Sequence, residues 1–115
     1  MEPCVKQQLD HYRQSLRLTR ESTAVVRKYL ALPADEESSK AELTAQLVGL
    51  VKRIAAQNAE GGKVRAEVSR LLRRKQLGNL SVLALAAAKA ATVNAVKEYE
   101  SEVAKLPATP KAVIF

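Results

Sequence analysis

The chain has 115 residues, a net charge of +7, and 47% hydrophobic residues of which few are aromatic. That length makes one domain, able to bury about two thirds of its unfolded surface in a core that needs no metal or disulfide. A single cysteine, Cys4, excludes an internal disulfide, and Cys4 with the one histidine, His11, is too small a set for a zinc site without carboxylate support.

The apolar mass is Ala, Leu and Val, and four glycines and four prolines are too few for a turn-rich protein. Ala and Leu lose little side-chain entropy in a helix, so the composition predicts an all-α fold. Glu2-Pro3 suits a helix start, because proline at the first helical position gives up an N–H that has no partner there. The row Val5, Leu9, Tyr12, Leu16, Thr19, Thr23, Val26, Leu30 then steps by four and three. That spacing puts one row on one helix face. An offset set, Leu18, Val25 and Leu32, widens the face, as a helix with two neighbours requires. Pro33 ends this first helix, expected over about 3–32.

A short acidic link follows, Asp35, Glu36, Glu37, Ser38, Ser39. Its brevity requires an antiparallel turn, and Asp35, Ser38 or the Ser39/Glu42 pair has the spacing of an N-cap. The second helix, over about 37–76, carries the most regular row of the chain: Leu43, Leu47, Leu50, Ile54, Gln57, Gly61, Val64, Val68, Leu71, Lys75. It reads as a rod of about 50 Å around which the rest is organised. Gly61-Gly62 in its middle costs about 2 kcal/mol in a helix interior. The phase of the row survives the pair, which favours a continuous or kinked helix over a break. Gly78 after Leu77 is expected to end the helix as its C′ residue, with Arg73, Arg74 and Lys75 facing the negative end of the dipole.

Asn79 or Ser81 is then expected to cap a third helix over about 80–106. Its alanines, Ala84, Ala87, Ala88, Ala91 and Ala95, suggest a thin helix packed closely against two others. A membrane span is rejected, because alanine is a weak membrane residue and Asn79, Ser81, Lys89, Thr92 and Asn94 interrupt the stretch. Pro107 closes the helix. The chain therefore divides into an antiparallel three-helix bundle over 1–106 and an extended tail over 107–115. The tail ends in Val113, Ile114 and Phe115, which read either as an end that docks on the chain's own groove or stays unordered, or as a short apolar motif offered to a partner by strand addition or carboxylate capture.

Charge is concentrated. Residues 63–75 hold six basic residues and one acid, Glu67, which is +5 of the net +7. With the first helix ending near Val64, this basic part of helix 2 is expected to project beyond it, covered by helix 3 alone. A second stripe, Arg13, Arg17, Arg20 and Arg27, follows one face of helix 1. It reads as a solvated face partly paired with Asp10 and Glu21, or as a track for phosphates or acidic segments. Aromatics for stacking bases are not interleaved with it.

Catalytic patterns are missing. His11 lies alone between Asp10 and Tyr12, Gly61-Gly62-Lys63 lacks the P-loop spacing and its preceding strand, and the Glu36-Glu37 and Glu98-Glu100-Glu102 carboxylates sit in polar surroundings. The expectation is a non-enzymatic interaction module, an adaptor or assembly subunit without cofactor. Val64, Val68, Leu71 and Leu72 are the expected apolar contacts, with Arg70, Arg73 and Arg74 as charged ones toward a helical or acidic protein segment or a second copy. A binder of nucleic acid or another acidic polymer is the alternative, and a small chaperone holding a partner's helix is a third. One cysteine and no signal-peptide pattern fit an intracellular, cytoplasmic or nuclear setting.

Overall fold

The computed structural model describes residues 2–107, and the expected tail motif, Val113, Ile114 and Phe115, lies outside them. Three helices follow one another: α1 (Pro3–Ala31), α2 (Glu37–Arg73) and α3 (Asn79–Val103). They form a rod of 57 × 20 × 18 Å, one long helix in length and two helix diameters across. The chain runs along α1, back along α2 and forward again along α3, as the short connections dictate.

Pro3 sits in the first turn of α1, and Leu32 leaves the helix in an extended conformation just before Pro33. Lys40, one turn into α2, places its ammonium 5.5 Å from the centre of the Tyr29 ring and ties the hairpin shut. Neither α2 nor α3 has a side-chain N-cap: Glu36 and Gly78 occupy those positions without a capping hydrogen bond. The expected caps Asp35, Ser38, Asn79 and Ser81 are not used. Ser39 donates instead to the Glu36 carboxylate at 3.3 Å.

The core lies in two clusters near the ends of the rod. One joins Val26 of α1, Leu47 of α2, and Tyr99 and Val103 of α3. The other joins Val5, Val68 and Leu85, with Cys4, Leu9, Tyr12, Val64 and Leu77 packed around it. Val5 and Val68 in one cluster correct the expected projection: α1 reaches past Val64 and covers α2 as far as Val68. Only the last turn of α2 and the turn after it extend beyond.

A second correction concerns the organising helix. α1 packs along both α2 and α3, whereas α2 and α3 scarcely approach each other. The wide face of α1 has the two neighbours its width required, and α2 is a flank. Between the two clusters, the inner row of α1 is made of small polar residues: Ser15, Thr19, Ser22 and Thr23 are all buried. Ser22 donates to the Leu18 carbonyl at 2.8 Å and Thr23 to the Thr19 carbonyl at 3.0 Å. The hydroxyls of Ser22 and Thr23 are therefore satisfied within the helix, and the small size of the row lets the flanking helices come close.

α2 continues through Gly61-Gly62 without a break. It ends differently from expectation. Lys75, at φ 55°, takes the left-handed position that was expected of Gly78. Gln76 N–H donates to the Leu71 carbonyl at 2.9 Å and Lys75 N–H to the Leu72 carbonyl at 3.1 Å. This pair of bonds is the Schellman closure of a helix end. Gly78, at φ −71°, instead precedes the first residue of α3. The alanine-rich half of α3 also departs from expectation. It packs mainly on α1, and only 11% of its most apolar stretch is buried.

Candidate functional site

Because α2 and α3 both rest on α1 and touch each other only sparsely, a groove of about 560 Å³ opens between them near the basic end of the rod. Its walls follow from helical spacing. Arg65, Val68, Ser69 and Leu72 form the α2 wall at i, i+3, i+4 and i+7, and Val82, Leu85, Ala86, Lys89 and Val93 repeat that spacing on α3. Gln8 and Tyr12 of α1 line it as well, from the helix between the two walls. Short alanine side chains cannot bridge from α3 to α2, which keeps the groove open. Leu72 is 43% exposed, Val82 39% and Val93 41%, so the apolar lips face solvent.

Gln8 is only 2% exposed, and its side-chain oxygen Oε1 has no hydrogen-bond partner among the described residues. A buried oxygen left unpaired is costly, by about 1–3 kcal/mol. The hydroxyl of Thr92, also on the α3 wall, donates to the Ala88 carbonyl at 2.9 Å. Arg65 and Lys89 are exposed at the rim, and neither is in an ion pair among the described residues.

The residues expected to contact a partner are divided by this geometry. Val68 and Leu72 line the groove. Val64 turns inward and packs against the Val5 cluster, and Leu71 is half-buried. Arg70 is bound to Glu67 by two hydrogen bonds, that from Nε being 3.1 Å long. The hydrogen bond from Arg70, helped by the charges of Arg70 and Arg74, holds the Glu67 carboxyl below its ordinary range. Arg73 and Arg74 are exposed at the end of α2.

The stripe on α1 stays on the surface but is largely neutralised. Arg13 pairs with Asp10 at 3.3 Å and Arg17 with Glu21 at 4.0 Å. Arg27 crosses to α3, where it meets Glu98 and Glu102. Its hydrogen bond to Glu98 raises the guanidinium pKa further. Arg20 is exposed and unpaired among the described residues.

His11, alone in the sequence, is half-buried between α1 and α2 and hydrogen-bonded to Gln57. Among the described residues no three His, Cys, Asp or Glu side chains gather in a way that would hold a metal ion. Sequence reasoning did not single out Gln8, Arg65, Val82, Lys89 or Val93. The i, i+3, i+7, i+11 repeat of Val82, Leu85, Lys89 and Val93 was the available signal, masked by the alanines between them. No protein-family model, no curated protein and no solved structure matches this chain.

Proposed function

We propose that this chain is a non-enzymatic adaptor or assembly subunit that takes one amphipathic helix of a protein partner into the groove between α2 and α3. The observation that carries the reading is the groove itself: an apolar channel with exposed Leu72, Val82 and Val93 on its lips and a buried, unpaired Gln8 oxygen beneath. A three-helix rod with two helices splayed on a third lacks one member of a four-helix bundle, and a fourth helix is the shape that fits between them. The span from Val82 to Val93 is about 16 Å at 1.5 Å of rise per residue, three turns of such a helix. Anchors at i, i+3 or i+4, and i+7 would meet the apolar lips.

Charge selects the partner. Arg65 and Lys89 stand at the rim of a chain with net charge +7, so a flank rich in Asp or Glu complements it. The same charges disfavour a second copy of this chain, which would place like charges together.

The test is to isolate the full chain from its source cell together with its companion, and to measure the mass of the assembly by light scattering. A Leu72→Glu/Val93→Glu variant, altered only at exposed lip positions, is expected to lose the companion while keeping the helical circular-dichroism signal. A lone monomer, or a companion retained by the lip variant, would remove the basis for this reading.

A further inference from the structure

We propose that the tip of the rod, where α2 turns into α3, is a contact for an anionic lipid surface. Leu80 and Leu83 enter the headgroup layer, and Arg73, Arg74 and Lys75 meet its phosphates. Leu80 is 81% exposed and Leu83 65%, the two most exposed large hydrophobic residues among those described. They stand at i and i+3 on one face of α3, which Ala87 continues at i+7, and all three are exposed. Ser81 and Leu85, on the opposite side, are buried. The tip is thus a separate surface from the groove, whose α3 wall begins at Val82 and faces α2.

From Asn79 to Val96 the sequence holds one charge, Lys89, and that residue lines the groove. The outward face of early α3 therefore carries no charge at all. A core helix of this composition would be mostly buried, and this one is not. Three basic residues complete the surface. Arg73, Arg74 and Lys75 are exposed, and none is in an ion pair among the described residues. The Schellman closure fixes them at the mouth of the same turn, a few residues before Leu80.

An acidic polymer would satisfy the charges and leave both leucines in water. An acidic bilayer supplies phosphates and hydrocarbon within one layer, which is the pairing this tip presents. A full span does not fit: α3 is long and apolar enough by length and composition, but Leu85, Ala95 and Tyr99 bind its inner face to α1.

The experiment is co-sedimentation of the full chain with vesicles of phosphatidylcholine alone and of phosphatidylcholine mixed with phosphatidylserine. Binding is expected to the mixed vesicles only. Leu80→Ser/Leu83→Ser leaves the net charge unchanged and is expected to lower the partition about tenfold or more, as is Arg73→Gln/Arg74→Gln/Lys75→Gln. The chain has no tryptophan. A Leu83→Trp variant is therefore a clean reporter, expected to shift its emission to the blue on mixed vesicles. Circular dichroism confirms that each variant is folded. Failure to bind mixed vesicles overturns the proposal. So does equal binding by the Leu80→Ser/Leu83→Ser variant, which would make the adsorption one of charge alone. Binding that resists alkaline extraction overturns it in favour of a span. Capture of an acidic helical peptide at the tip, with vesicles ignored, overturns it in favour of a protein partner.

Discussion

His11 and Gln57 form the polar link between α1 and α2: Nδ1 of the imidazole donates to the Gln57 side-chain oxygen at 3.1 Å, because the Gln57 amide nitrogen is itself committed to Gln14. The same ring lies over Gly61, where an added Cβ would stand 3.4 Å from His11 Cγ. The two glycines thus have different roles. A Cβ on Gly61 would just reach contact with His11 and anything longer would press on the ring, whereas a Cβ on Gly62 or on Gly49 would meet nothing within 4 Å. Gly62→Ala and Gly49→Ala are each expected to stabilise the protein by about 1 kcal/mol, additively, since the sites are far apart. Gly61→Leu is expected to destabilise it by displacing the imidazole. Urea-unfolding midpoints of the single and double variants check both statements.

Lys75 holds a left-handed conformation that a side chain makes unfavourable. Lys75→Gly keeps both closing hydrogen bonds and removes that cost, so a gain of about 1 kcal/mol is expected. That corresponds to about 4 °C or more in the thermal midpoint of a domain of this size. A lowered midpoint would mean that the lysine side chain contributes a contact worth more than the strain.

Gln8 contributes a buried, unpaired side-chain oxygen to the lining of the groove. Gln8→Met conserves shape and removes the unpaired oxygen, so the isolated protein is expected to gain about 1–2 kcal/mol in urea unfolding. The same change should weaken capture of the proposed partner helix, because a donor on that helix would lose its acceptor. A variant that gains stability and keeps full partner affinity would separate the oxygen from binding.

Tyr99 is 1% exposed, and burial pushes its phenol up from 10.0 to about 12. Below pH 10 both folded and unfolded chains keep the proton, and the full stability is present. Between pH 10 and 12 only the unfolded chain releases it, so stability falls by about 1.4 kcal/mol per pH unit from this group. Subtracting the alkaline absorbance titration of Tyr99→Phe from that of the parent isolates this phenol. A difference curve centred near pH 10 would contradict the burial.

The three rods were legible because aliphatic residues at steps of four and three mark helix faces whatever they pack against. Their ends came within about three residues, where fraying sets the ordinary uncertainty. The central role of α1 was not legible. Its inner row includes Ser15 and Ser22, buried polar residues that the aliphatic row passed over; the Ser22 hydroxyl bonds within the helix. Alanine in α3 is equally at home against a neighbour or in water, so pattern alone did not reveal that α3 leaves α2 uncovered. Val68 and Leu72 could be named from the second helix by itself. Val82, Val93 and Gln8 could not, because the groove exists only where two flanking helices diverge. Gly78 and Lys75 show the same limit: glycine after a helix marks a turn without saying which residue takes the left-handed position.

That divergence also ranks the parts of the molecule by how firmly they are held. The third rod leans mainly on the first, touches the second sparsely and is joined to it by a turn of a few residues, so it is a limb fastened chiefly along one side. The first two rods are clasped to each other by the Tyr29–Lys40 and His11–Gln57 links as well as by their shared core. Amide protons of Leu83 and Ala87 will therefore exchange with solvent through a cheaper opening than those of Leu18 and Ile54, and occupancy of the groove will close that gap.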